Sequence, residues 1–183
     1  MKKVIYLLAT VLIFASCGTE EVKSDEKTAV LGALSLEDQF DALVELDKQL
    51  LNADLSIDTK VAKQLYDAAN LFANENPLHK KAADALELGA KGAEGIGKYN
   101  EAINILHKII TGYPETEKTP MFMYRKAIIL EEKLGKTENA KAAYQALIER
   151  FPDNFLSINA QEYLDMDYLN MSDADLIKFL GIA

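Results

Sequence analysis

The chain contains no tryptophan and a single cysteine, at position 17. One cysteine allows no intramolecular disulfide and excludes a metal site built from three or four thiolates. Histidine is nearly as scarce. His79 and His107 sit on different helical stretches without an acidic partner at ligand spacing, and both read as surface residues. Positive charge is the minority sign, with 20 Lys and Arg against 29 Asp and Glu, a net −9. A nucleic-acid backbone needs a basic patch, so this balance argues for a soluble chain and, if anything, a cationic partner. There are only four prolines, and no segment alternates apolar and polar residues over a useful length, so essentially no sheet is expected.

What is present is a repeat. Gly97, Lys98, Ala102, Ile110 and Pro114 recur 38 positions later as Gly135, Lys136, Ala140, Ile148 and Pro152. Leu106 returns as Tyr144, Ile109 as Leu147, and Tyr113 as Phe151. Pro77 precedes Pro114 by almost the same interval, giving three helix-ending prolines at nearly constant period. Self-similarity on this scale marks stacked supersecondary units.

Residues 1–16 stand apart from that pattern. Lys2 and Lys3 precede an apolar run, Val4–Ala15, of 12 residues. That is short of the about 20 residues needed to span a bilayer but suits the core of a signal peptide. The run ends in Phe14-Ala15-Ser16-Cys17-Gly18, which resembles the lipobox of bacterial lipoproteins, with Phe14 where Leu is usual. The resemblance implies cleavage before Cys17 and lipid attachment to it. Gly18 after the cysteine implies, by analogy, passage to the outer membrane on its periplasmic side. Several acyl chains together hold a protein on a bilayer where one is marginal. Residues 17–34 then read as the lipidated cysteine and a polar tether, which fully extended reaches roughly 60 Å. The acidic stretch Glu20–Glu26 also resembles export signals of surface-displayed lipoproteins, so a surface-exposed position is the alternative.

Residues 35–183 carry eight amphipathic patterns. Ser35 caps a helix to about Leu51, with Asn52–Ser56 as connector, and Asp58 or Thr59 opens a second that ends before Pro77. The third runs from about Leu78 to Glu94, and the fourth spans Lys98–Thr111. Thr119 and Pro120 open the fifth, which Gly135 closes. The sixth is Thr137–Phe151, the seventh about Asn154–Leu169, and a short cap runs from Ser172 to Leu180. The expected fold is all-α, antiparallel helical hairpins stacked without a sheet.

The offsets of Gly135, Ala140, Tyr144 and Pro152, and of Gly97, Tyr99, Ala102 and Pro114, resemble the second helix of the tetratricopeptide repeat. The segments Lys98–Ala102 and Tyr113–Thr116 are similar to those of Tol–Pal coordinator and outer-membrane assembly lipoproteins. The likeness holds over about Ala82–Tyr168. It departs from the family in the first helices, where Ala127-Ile128 and Leu88-Gly89 replace Leu-Gly. The resemblance implies a right-handed α-solenoid in which each hairpin buries a face only against its neighbours.

Gly92–Lys98 spells a phosphate-loop pattern, but a helical stretch precedes it and Tyr99 stands where Ser or Thr should ligate Mg²⁺. The recurrence of Gly97-Lys98 as Gly135-Lys136 makes it repeat punctuation. Gly89 and Gly92 are expected to permit a close helix crossing, and Gly95 and Gly97 a turn. The acids Asp165, Asp167, Asp173 and Asp175 lack the glycine of a calcium loop. No catalytic constellation can be assembled, so neither an enzyme nor a cofactor nor a metal is expected.

In such a solenoid the first helices of successive hairpins line one face. Mapping onto the family turns Phe122, Arg125, Ile129 and Lys133 towards it, joined by Tyr163 and Asp167 and by Glu87 and Lys91. Aromatic anchors beside Arg suit an extended or helical peptide. The competing assignment places Phe122 and Ile129 in the hairpin core. The function expected is a non-catalytic, lipid-anchored envelope scaffold that binds another protein. An accessory subunit of an outer-membrane assembly or cell-wall coordination complex is the alternative. A surface glycan binder is a further reading, which the missing tryptophan counts against.

Overall fold

A computed structural model describes residues 34–166, 171, 173–179 and 181. The fold is that of the unit Ser35–Ala183. The signal-peptide, lipidated-cysteine and tether assignments for residues 1–33, Cys17 among them, lie outside the described residues, as does Asp167.

The architecture is all-helical. In chain order the helices are α1 (Leu36–Lys48), α2 (Thr59–Glu75), α3 (Ala82–Gly95), α4 (Tyr99–Gly112), α5 (Thr119–Ile128), α6 (Thr137–Arg150), α7 (Phe155–Leu164) and α8 (Asp173–Phe179). A π-helical turn, Ile129–Lys133, prolongs α5. From α1 to α7 each helix packs against the next in hairpin fashion, and α1 also lies against α3 and α5 against α7. The sole extended pairing among the described residues is an isolated bridge, Leu51 with Ile57, across the α1–α2 connector.

Three helix starts, those of α1, α2 and α7, have a side-chain cap. Ser35 Oγ accepts the Asp38 N–H at 3.1 Å and donates to its carboxylate at 2.7 Å. Asp58 accepts from the N–H groups of Lys60 and Val61, and Asn154 from that of Leu156. These bonds satisfy donors that a first helical turn leaves orphaned.

The ends repeat with the sequence. Asn76, Tyr113 and Phe151, each followed by proline, close α2, α4 and α6 with φ/ψ of −129/54°, −133/57° and −137/61°. In all three the N–H reaches the carbonyl four residues back. Gly97 and Gly135 turn the chain between the helices of a hairpin at φ +72° and +61°, a region that L side chains occupy only at a cost.

The tightest contact is between α2 and α3. A methyl on Gly92 would fall 2.6 Å from the Tyr66 nitrogen and 2.7 Å from the Ala62 oxygen, and one on Gly89 3.3 Å from the Ala69 methyl. Both glycines admit the close crossing expected of them. Gly95 departs from expectation: it is the last helical residue of α3, and its added carbon would meet the Ala62 methyl at 2.8 Å. It extends the contact stripe, and the turn falls on Ile96 and Gly97 alone.

Three boundaries also differ. Helix α1 stops at Lys48, because the Gln49 and Leu50 N–H groups tighten onto the carbonyls three residues back. The third helix begins at Ala82, not Leu78. After Pro77 the chain makes two turns, with the His79 N–H on the Asn76 carbonyl and the Ala82 N–H on the His79 carbonyl. His79 is therefore no plain surface residue: its ring meets Phe72 edge-on at 5.5 Å and its Nδ1 accepts the Lys81 N–H. Helix α7 ends at Leu164, where the Asp165 N–H binds the Gln161 carbonyl and the Gln161 amide binds the Asp165 carboxylate.

Candidate functional site

The first helices of the hairpins, α1, α3 and α5, are bridged by ion pairs. On α3, Asp84, Glu87, Lys91 and Glu94 fall at helical spacing, so they form one charged stripe. Lys91 Nζ reaches across to both carboxylate oxygens of Asp47 on α1, at 3.2 and 3.0 Å. Lys118, at the start of α5, binds Glu87 at 2.7 Å and lies 3.5 Å from Asp84. The bond to Glu87 raises the Lys118 ammonium above its ordinary range, against the opposing effect of its partial burial. Arg125 Nε sits 2.7 Å from Glu94 Oε1, both side chains about 25 % exposed. That approach is an ion pair without hydrogen-bond alignment, since Glu94 Oε1 accepts no hydrogen bond. At this depth such a pair is less screened than one in open solvent.

These contacts sort the residues expected to face a partner. Glu87, Lys91 and Arg125 do come together, each bridging neighbouring first helices and each already paired within the chain. Phe122 and Ile129, each 2 % exposed, are core residues and present no surface to a partner. The reason lies in how α5 is covered. It contacts α4 on one side and α6 and α7 on the other, so most of its circumference is buried. Lys133 is exposed, and its nearest carboxylate, Glu132, is 3.8 Å away. Tyr163 is half-buried in an aromatic stack, with its ring 5.1 Å from that of Tyr144, which in turn lies 5.5 Å from Tyr124. It joins the core between α5, α6 and α7.

The residues that sequence reasoning missed are the counter-charges Asp47, Asp84, Glu94 and Lys118. Their signal was available on α3, where the spacing of Asp84, Glu87, Lys91 and Glu94 marks one face. Two buried hydroxyls were also missed. Thr119, wholly buried, donates to the Thr116 carbonyl at 2.8 Å, and Ser157, its counterpart one repeat on, donates towards the Leu147 carbonyl at 3.4 Å.

The row can offer a partner a patterned, largely polar surface built on rigid helices. Among the described residues no three acidic, histidine or cysteine side chains gather as metal ligands. No described helix is long and apolar enough to cross a membrane.

Residues 122–154 match the family model described as tetratricopeptide repeat. The match runs from within α5 through the Gly135 turn and α6 to the turn after Pro152. A comparison with curated proteins gives no match.

Proposed function

We propose that this chain is a non-catalytic, lipid-anchored scaffold of the bacterial cell envelope that binds another protein through the shared face of its first helices. The observation that carries the reading is the charged row from Asp47 through Lys91, Glu94 and Arg125 on helices stacked as hairpins, within which one tetratricopeptide repeat is matched. Helices held by their neighbours present side chains in fixed register, and rigid presentation lowers the entropy lost when a partner binds.

Anchoring and position rest on the sequence. The basic start, the apolar run and Cys17 in its lipobox-like setting support attachment to the outer membrane on the periplasmic side, with the domain on a tether. A role as accessory subunit of an outer-membrane assembly or Tol–Pal complex rests on the likeness of Lys98–Ala102 and Tyr113–Thr116 alone.

Two measurements test the reading. In membrane fractions of the producing cell, Cys17→Ser should move the protein to the soluble fraction; continued sedimentation with membranes would refute the lipid anchor. A photo-crosslinking residue at the exposed Lys133 should capture a defined partner, whereas one at the exposed His107, on a second helix, should not. Equal capture at both positions would remove the first-helix face from the account.

A further inference from the structure

Helices α5 and α7 hold equivalent places in the repeat, and their inner faces agree position for position. Thr119 and Ser157 are both buried, as are Phe122 and Ala160. Their outer faces do not agree. On α5, Pro120 and Ala127 are buried and Tyr124 is half-buried, with Tyr124 and Ala127 packed among α6 and α7. The α7 counterparts of Pro120, Tyr124 and Ala127 are Ile158, Glu162 and Asp165, and all three are exposed. Phe155, one turn before Ile158, is 66 % exposed and Ile158 itself 53 %. The positions along which α5 is covered are therefore exposed on α7 at Ile158, Glu162 and Asp165, and Phe155, whose α5 counterpart Glu117 is also exposed, adds an aromatic one turn before Ile158.

Charge on this stretch is of one sign. Between Arg150 and Lys178 there is no lysine or arginine, while Asp153, Glu162, Asp165 and three further aspartates fall there. A second copy stacked on the same face would set its Glu162 and Asp165 against the same two acids. A helix with cationic flanks would meet them as counter-charges.

We propose that the exposed face of α7 docks an amphipathic helix from a partner protein. Its apolar stripe covers Phe155 and Ile158, and lysines or arginines beside the stripe meet Glu162 and Asp165. The position fits helix-in-groove recognition, where apolar anchors set affinity and charge sets partner choice. This surface does not include the paired residues of the first-helix row, so the two can fail separately.

The test uses the full chain and two synthetic helical peptides of about 18 residues, both with one leucine stripe, the remaining positions lysine in one and glutamate in the other. Fluorescence anisotropy should show the lysine peptide binding and the glutamate peptide not. Phe155→Ser with Ile158→Ser should weaken binding about tenfold or more, the scale of losing an apolar anchor, while Leu78→Ser, at a distant exposed leucine, should change nothing. Both positions are exposed, so circular dichroism should show an unchanged fold. Glu162→Lys with Asp165→Lys should lower affinity for the lysine peptide and raise it for the glutamate peptide. Absence of lysine-peptide binding, equal binding of both peptides, or insensitivity to the Phe155 and Ile158 changes would overturn the proposal. So would a dimer in sedimentation that those two changes dissolve, because it would give the face to a second copy.

Discussion

At Gly92 the backbone of α3 comes so close to α2 that a single carbon has no place. Its nearest neighbours would be backbone atoms of Tyr66 and Ala62, which cannot swing aside as a side-chain end could. Gly92→Ala should therefore cost about 2–3 kcal/mol of stability in urea unfolding, the range for overpacking a fitted contact. Gly112 is the matched comparison. It ends α4 with nothing within 4 Å of an added carbon, so Gly112→Ala should stabilise by roughly 0.5 kcal/mol. Similar effects for the two would mean that the α2–α3 crossing is looser than these distances imply. Glu131 supplies a pH-dependent case. Burial lifts its carboxyl above the ordinary range, the neighbouring Glu132 charge adds to this, and Lys141 opposes it. A carboxyl whose pKa is higher in the folded state contributes stability below its unfolded pKa, and loses it as pH rises through the folded value. Glu131→Gln should then raise stability at neutral pH and leave it unchanged at about pH 3, below the range in which an unfolded glutamate titrates. Equal effects at both pH values would contradict the assignment to ionisation. Gly89 and Gly92 were legible in the sequence because their spacing marks a small-residue stripe, whereas Gly95, expected in the turn, extends it. For Phe122 and Ile129 the core assignment holds over the groove one, a choice left open in the sequence because periodicity gives the direction of a buried stripe but not its width, and α5 is covered on both sides.

The element scale explains an irregularity in the repeat. The stretch from Pro114 to Gly135 is one residue longer than that from Pro77 to Gly97, whereas Gly97–Pro114 and Gly135–Pro152 are equal. Pro77 to the start of α3 and Pro114 to the start of α5 are equal, so the extra residue lies in the first helix of the third hairpin, and the π turn Ile129–Lys133 is there. A π turn accommodates one added residue without rotating the helix end beyond it. Its imprint remains at that end: the Lys136 N–H bonds the Leu130 carbonyl, six residues back, while the Lys98 N–H bonds Ala93, five back. Deleting the exposed Glu132 should convert the turn to ordinary α-helix, keep Gly135 in place and cost less than about 1 kcal/mol. Deleting the exposed Glu101 inside α4 would rotate every later side chain of that helix and should unfold the domain. Comparable losses for both deletions, measured by thermal unfolding, would show that the π turn is not the site of the insertion. The helix order and the proline and glycine punctuation could be read from sequence because each is written in local chemistry. The π turn could not, since a one-residue excess has no local signature until hydrogen bonds place it.

The whole molecule is a stack of hairpins with a charged face bridging its first helices. Asp47–Lys91 and Glu94–Arg125 tie α1, α3 and α5 together, and under the proposed function they also set the pattern a partner reads. The two tasks separate if the polarity is inverted while the pairing is kept. The deciding experiment is crosslinking capture from intact cells by a protein carrying Asp47→Lys with Lys91→Asp and Glu94→Arg with Arg125→Glu. Circular dichroism and thermal unfolding should be close to those of the parent, because each pair is preserved. Capture of the parent's partner should fall about tenfold or more, as like charges now face each other across the interface. Undiminished capture of that same partner by the folded, inverted protein would contradict the claim that the first-helix row is its binding surface.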